Sequence, residues 1–423
     1  MSTLKVNKLR DTTGSTDAIV LDPSGGAVLA GVTTISTARI TTGITTSIQV
    51  GGGVTISESG IEASGIGITC ANINGGQIGG RRNIFYNGGM IVHQRGTATT
   101  VTSDAYHSCD RWPTRNACDA AFTISKSTDV PTGQGFQAST KWQVTTADSS
   151  LSSSQRFRVQ QKLEGQDVQM FAKGTSGAKQ YAISFWIKTT VTGTYIFEIY
   201  DNENARMVSK AYTVSASNTW EKKELVFPAD TTGTLTSDTS QRMTCNFVFA
   251  AGSDYTSGTL QTTWASAVNA NRDPGQVNAV NSTSNAIYLT GIQLEIGPQI
   301  TPFEHRSFGE ELALCQRYYY KHVDGTDQDI GVGAMYNSTL CAFSVKFPVS
   351  MRSAPSLDYV SSTDAYRIFR TGASDQFTSM GIVRAQVNCA AIDTTTGTSG
   401  TEGVGAILAT ATSSGYIAFS SEL

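Results

Sequence analysis

The chain has 423 residues and a formal net charge of −3, with 31 Lys and Arg against 34 Asp and Glu. Only 15% of its residues are charged, while 41 are glycine. That balance argues against a nucleic-acid binder, which carries a basic face; no apolar run approaches the roughly 18 residues of a membrane span, so neither nucleic acid nor membrane insertion is expected.

The opening residues Met1-Ser2-Thr3-Leu4-Lys5 lack the apolar core of a signal peptide. Leu4, Val6 and Leu9 among basic residues fit a docking peptide or a frayed end equally well. Ala18-Ile19-Val20-Leu21 and Ala27-Val28-Leu29-Ala30 flank Asp22-Pro23-Ser24-Gly25-Gly26, a strand–turn–strand signal. Every Phe, Trp and Tyr lies at or after Phe85. The aromatic-free stretch before it is rich in Thr, Ser, Gly and Ile, with apolar residues in steps of five at 56–61–66 and 68–73–78. One copy of such a chain buries too little to offset an ordering cost of ~1–2 kcal/mol per backbone residue. Disorder is one solution; a fibrous β structure shared by identical chains is the other. Scarce charge and abundant Thr, Ile and Val favour the shared fibre. In a homotrimer, Ile44, Ile56, Ile61, Ile66 and Ile73 would point to its axis.

From 104 to 305 the pattern is that of an ordinary β domain. Tyr181, Ile183, Phe185 and Ile187 alternate along one strand; Tyr195, Phe197 and Ile199 repeat this, as do Met243, Cys245, Phe247 and Phe249. Ile287 and Leu289 are in one phase and Ile292, Leu294 and Ile296 in the other, so a β-bulge is predicted at Gly291. About nine strands with little helical periodicity suggest a two-sheet sandwich of jelly-roll type. Residues 252–283 read as its long polar insertion, anchored by Trp264.

Ser307-Phe308-Gly309-Glu310 is a capping box opening a helix, with Leu312, Cys315 and Tyr319 predicted on one face. Strands return after Tyr318-Tyr319-Tyr320, near 341–347, 365–370, 380–392, 404–411 and 415–420. Loops are expected at 324–329, 371–378 and 395–403.

No catalytic constellation is visible, and the chain is expected not to be an enzyme. Asp201, Glu203 and Glu224 are glycosidase candidates only if two of them face each other across a cleft. Gly51-Gly52-Gly53 lacks the Lys-Ser/Thr of a phosphate cradle. Asp324-Gly325-Thr326-Asp327-Gln328-Asp329 is dense in oxygen, as a calcium loop is, but lacks the EF-hand spacing and terminal Glu and reads as a polar turn. The cysteines, at 70, 109, 118, 245, 315, 341 and 389, form no C-x-x-C pair. They read as buried thiols, with a Cys109–Cys118 disulfide the less favoured alternative. Four scattered His residues give no zinc spacing, and no cofactor is expected. Sugar recognition uses exposed rings beside polar and charged groups. Tyr366, Phe369 and Phe377 with Arg367, Arg370 and Asp375 have that composition and are the candidate receptor-binding residues, although strand cores use the same types.

Several segments together resemble tail-fibre-like proteins of tailed bacteriophages, particularly those of marine podoviruses and cyanophages. They are Ser2-Thr3-Leu4-Lys5-Val6-Asn7-Lys8-Leu9; Asn74 to Asn83; Asn87-Gly88-Gly89-Met90 through Thr97, then Asp110-Arg111-Trp112; Gln293-Leu294-Glu295-Ile296-Gly297 through Glu304 to Tyr319; and Gly415-Tyr416-Ile417 with Glu422-Leu423. The resemblance implies a homotrimeric virion fibre with an attachment segment (1–30), a trimeric β shaft and junction (31–103), a jelly-roll sandwich resembling carbohydrate-binding modules (104–305) and a C-terminal β-sandwich tip preceded by one short helix (306–423). It carries no ligand residues over. Implied partners are two further copies of the chain, other virion proteins at the N-terminus, and a host surface glycan or protein. The short shaft departs from fibres with a long N-terminal adaptor and points to docking on another fibre or on the capsid. A receptor-binding fibre is the first expectation; a capsid fibre or decoration protein without a specific receptor is the alternative.

Overall fold

The computed structural model describes residues 81–394 and 397–423, and six short strands of the first 80 residues by their backbone. It divides into two compact units, Met1–Cys70 and Ala71–Leu423.

In the first unit, β1 (Lys8–Arg10), β2 (Asp17–Leu21) and β3 (Ala27–Leu29) form an antiparallel meander. β2 and β3 are the hairpin that the Asp22–Gly26 turn residues announce. A second meander joins β4 (Ser47–Val50), β5 (Val54–Ser57) and β6 (Gly60–Ala63). Ile56 is the cross-strand partner of both Ile48 and Ile61. Ile44, Ile66 and Ile73 lie outside the described residues, as do the side chains of Ile56 and Ile61 and with them the expected threefold axis.

The second unit opens with a sandwich of twelve strands: β7 (Ala98–Val101), β8 (Thr114–Asn116), β9 (Ala121–Ser127), β10 (Ser139–Thr146), β11 (Arg156–Glu164), β12 (Tyr181–Thr189), β13 (Gly193–Asp201), β14 (Arg206–Val214), β15 (Glu221–Phe227), β16 (Gln241–Ala251), β17 (Ala265–Ser266) and β18 (Ala286–Ile296). They form two six-stranded antiparallel sheets, ordered β15-β12-β18-β10-β9-β7 and β17-β14-β13-β16-β11-β8. The alternating residues read from the sequence face each other between the sheets. Phe185, Phe197 and Phe247 are fully buried and meet edge to face at 4.9 and 4.8 Å. Each contributes roughly 1.5–3 kcal/mol through burial. Eleven of these strands fall within 104–305 against the predicted nine; β8 and β17 are short edge strands whose two or three residues carry too little alternation to register as a period. The predicted bulge is present: Gly291 has φ +61°, and the β12–β18 register slips there. Trp264 anchors the 252–283 insertion as expected, donating from Nε1 to the Pro228 carbonyl at 2.9 Å; within that insertion lies the short helix α1 (Ser253–Thr256).

The expected boundary at 103/104 falls inside this sandwich. Ile84, Phe85, Met90 and Val101 belong to its core, and β7 pairs with β9.

The rest is α2 (Phe308–Gln316), β19 (Tyr319–Asp324), β20 (Asp329–Met335), β21 (Cys341–Lys346), β22 (Ser356–Tyr359), β23 (Tyr366–Arg370), β24 (Ala373–Phe377), β25 (Met380–Ala385), β26 (Cys389–Thr394), β27 (Gly405–Thr410) and β28 (Tyr416–Ser420). A seven-stranded sheet, β24-β23-β27-β20-β21-β26-β25, packs with a three-stranded one, β19-β28-β22. The N-cap half of the capping box is present: the Ser307 hydroxyl accepts from the Glu310 N–H at 3.3 Å. The predicted helix face is not, because α2 stops at Gln316 and Tyr319 begins a strand; the buried residues of α2 are Glu311 and Cys315. The loop expected at 371–378 contains β24, which the sequence hides because Ala373, Ser374 and Gln376 leave only Phe377 to mark a buried face.

Candidate functional site

The solvent face of the second sheet carries a polar groove of about 220 Å³. Its residues come from strands whose apolar positions point into the core. In β11, Val159 and Leu163 are buried, so Arg158, Gln160 and Lys162 face outward; in β16, Met243, Cys245 and Phe247 do the same for Thr244 and Asn246. Register then sets the rows. Gln160, Asn246 and Glu198 are successive cross-strand partners on β11, β16 and β13; Lys162, Thr244 and Tyr200 form the next row. Arg115 on β8 sits beside Arg158.

Gln160, Asn246 and Thr244 form a buried floor. Gln160 donates to the Asn246 side-chain carbonyl, and Asn246 Nδ2 donates to Glu198 at 2.8 Å. The Thr244 hydroxyl donates to Asn202 Oδ1 at 2.7 Å and accepts from Gln241 Nε2 at 2.7 Å. These bonds hold the amides in fixed orientations. Arg115, Arg158 and Lys162 make one wall; Tyr200 and Arg272 make the other, with the Arg272 guanidinium 5.0 Å from the Tyr200 ring centre. Arg272 belongs to the 252–283 insertion, which thereby contributes to the site.

Charge inside the groove is unevenly compensated. Glu198 accepts from Arg272 at 2.6 and 2.7 Å and from Arg156 at 3.3 Å. Asp273 takes Arg156 at 2.5 and 2.7 Å. Arg115 pairs with Asp104 at 3.1 Å, and Lys162 donates to the Leu423 backbone oxygen. Among the described residues Arg158 has no carboxylate partner, and its Nε is buried without a hydrogen bond. Burial, with Arg156 alongside, pulls its pKa down to about 9, so it stays charged at neutral pH. Burial alone would raise the Glu198 carboxyl, but Arg156 and Arg272 hold it down to about 2. Glu198 is therefore ionised and has no proton to give at neutral pH.

The six residues expected to bind a receptor do not form one platform. Tyr366 and Phe377 are fully buried and stack on each other at 5.4 Å, inside the core of the C-terminal domain. That placement corrects their assignment to a ligand surface: β23 and β24 present one face to the core, and these two rings lie on it. Arg370 pairs with Asp375 and Arg367 with Asp327. Phe369 alone of the rings is exposed, at 41%. It joins Ile407 and Val332, exposed by 50% and 75%, in one cross-strand row on β23, β27 and β20.

The other candidates scatter. Asp201 is buried under Lys173, Glu203 takes the Thr236 N–H and hydroxyl, and Glu224 pairs with Lys222 on the surface. Asp324 pairs with Lys321 at 2.8 Å. Among the described residues no group of three or more His, Cys, Asp or Glu is placed to hold a metal ion. Cys109 and Cys118 are free, buried thiols, not a disulfide.

Sequence reasoning missed the groove because an outward polar row is ordinary in a sandwich. The available signal was Asn246, a poor strand former in the middle of the apolar run Met243–Phe249.

No family model matches the chain, and no curated protein matches it in sequence. Among solved structures it is similar to the enzymatically active domain of tailspike protein 4 of bacteriophage CBA120, at 15% identity and TM-score 0.27 over 51% of this chain and 21% of that one. It is also similar to a family 11 carbohydrate-binding module from Clostridium thermocellum in complex with a β-1,3-1,4-mixed-linked tetrasaccharide, at 12% identity and TM-score 0.25 over 49% and 98% of the two chains. The tandem CBM22-1–CBM22-2 domain of Paenibacillus barcinonensis Xyn10C is similar at 9% identity and TM-score 0.26, over 84% of this chain and 100% of that one. The chain spans about a fifth of the tailspike's length, and its neighbours of known structure include a phage tailspike domain and carbohydrate-binding modules.

Proposed function

We propose that the protein is a virion fibre of a tailed phage that attaches to its host by binding a cell-surface saccharide in the groove of the central sandwich. The observation that carries this reading is the pre-oriented ladder of amides and hydroxyls, Gln160–Asn246 and Thr244–Asn202, that lines the floor of the groove on a rigid sheet. Sugar hydroxyls need donors and acceptors held in place, because each one desolvated without a partner costs roughly 1–3 kcal/mol. The virion setting rests on the resemblance of the junction segments to tail-fibre-like proteins.

The reading is one of binding without cleavage. No carboxylate is among the described residues that line the groove; the nearby acids Glu198 and Asp273 are fully buried and paired with arginines, so no two acids face each other across it. Titration of the full chain with oligosaccharides from the host envelope should give a saturable signal, weakened at least tenfold by Tyr200→Ala with Asn202→Ala at unchanged thermal stability. No reducing ends should appear. Absence of binding to every envelope fraction would leave the receptor-free decoration fibre as the better account.

Self-association belongs to the same proposal. The aromatic-free N-terminal segment needs identical neighbours to build a core, and the exposed apolar row Val332–Ile407–Phe369, with Arg367 over the Phe369 ring, offers those copies a further contact face. Sedimentation should show a trimer for the native chain and a lower mass for Val332→Asp with Ile407→Asp. A native chain sedimenting as a monomer would remove the trimer from the reading.

A further inference from the structure

The groove has more positive than negative charge, and this property selects among saccharides. Arg156 and Arg272 are ion-paired with Asp273 and Glu198, and Arg115 with Asp104, although Arg156 Nη1 is itself left without a hydrogen bond. Arg158 stands between them on β11, half-buried, cross-strand to Arg115 and without any acceptor among the described residues. A guanidinium held among other cations without an acceptor is costly; its terminal nitrogens, unlike the buried Nε, remain open to an incoming carboxylate, which would accept from them and offset the neighbouring positive charge. The walls offer little to a neutral sugar in the way of a bare aromatic face, since Arg272 already lies over Tyr200. The floor of amides, one row away, would take the hydroxyls flanking such a carboxylate.

Resting on the saccharide reading above, we infer that the groove is built for an acidic sugar, a uronate or another carboxylated residue, whose carboxylate docks on Arg158 while its hydroxyls meet Gln160, Thr244 and Asn246. Lys162 on the same wall adds positive potential without competing for the bidentate contact. The occupant is a carbohydrate rather than nucleic acid because the chain as a whole is acidic, where a nucleic-acid binder carries a basic face.

The test uses the full chain and a panel of hexuronate and sialate oligosaccharides, each beside its carboxyl-reduced counterpart, with calorimetry at low and at 0.5 M salt. At least one acidic member should bind tenfold or more tightly than its reduced form, with affinity falling as salt rises. Arg158→Gln should remove that preference while leaving weak binding to the reduced sugar, and Arg158→Lys should restore it in part. Equal binding of acidic and reduced forms, unaffected by Arg158→Gln, would overturn the acidic-sugar inference and leave the saccharide reading standing. Failure of both forms to bind would overturn the two together. Binding of a single-stranded oligonucleotide more tightly than any sugar would replace the ligand class.

Discussion

Asn87 shows how much one side chain organises here. It sits at φ +52°, fully buried, with Oδ1 accepting from the Ile91 and Val92 N–H groups and Nδ2 donating to the Val92 and Asp110 carbonyls at 2.9 Å. Its own N–H donates to Glu311 at 2.5 Å, and its carbonyl accepts from Trp112 Nε1 at 3.0 Å. The loop it stabilises places His93 in an interior position. His93 has the Ser108 hydroxyl 3.0 Å from Nδ1 and the Met90 carbonyl 3.1 Å from Nε2, an arrangement that suits the neutral ring. Burial, with the Lys126 charge adding to it against the Met90 carbonyl, lowers its pKa to about 4. The unfolded chain, with a histidine near 6.5, then binds more protons than the folded one between pH 6.5 and 4. Stability should therefore fall as pH drops through that window, by up to about 3 kcal/mol from this residue. Urea titrations at pH 7 and pH 4.5 should show the loss, and His93→Gln should flatten it; an equal slope in the variant would assign the acid sensitivity elsewhere.

Among the elements, β18 shows what a single insertion decides. Without the bulge at Gly291, either Ile287 and Leu289 or Ile292 and Leu294 would face solvent, because one residue of slip reverses every side chain. A Cβ there would meet the Phe136 ring at 2.5 Å in addition to the left-handed backbone. Gly291→Val should cost about 2–4 kcal/mol from backbone strain and overpacking, read as a lower urea midpoint with an unchanged slope. The same strand runs past Asn83, whose Oδ1 accepts from the Leu294 N–H at 3.1 Å, so the junction and the sandwich stand or fall together.

At the scale of the molecule, the two β domains of the second unit meet through buried charges and rings. Arg111 is fully buried, its guanidinium 3.4 Å from the Tyr318 ring centre and 2.5 Å from Glu422; Arg95 lies 3.4 Å from the Tyr319 ring centre and pairs with the same carboxylate at 3.2 Å. Arg317 and Tyr318 meet Glu164 at the end of β11, the strand that also lines the groove. Arg95, Arg111, Arg317 and Glu422 thus form a clamp between the two domains. Removing one partner of a buried ion pair costs roughly 3–5 kcal/mol. Arg111→Met should split one cooperative thermal transition of the described domains into two, with protease cutting first in the 297–306 connection. A single transition at an unchanged temperature would place the coupling in other contacts.

What the sequence determined by itself was periodic or local. Strict alternation placed the sandwich strands, a phase change located the bulge, and Ser307 with Glu310 started the helix, since each signal lies within about a dozen residues and has one physical meaning. What only the tertiary structure decided was pairing between distant segments. Tyr366 and Phe377 have the composition of a sugar platform, yet register turned both rings inward. Arg158, Gln160 and Asn246 look like ordinary outward residues until β11 and β16 are placed side by side. Which polar face becomes a groove, and which cation in it lacks a partner, depends on strand neighbours more than forty residues apart, and local pattern carries no information at that distance.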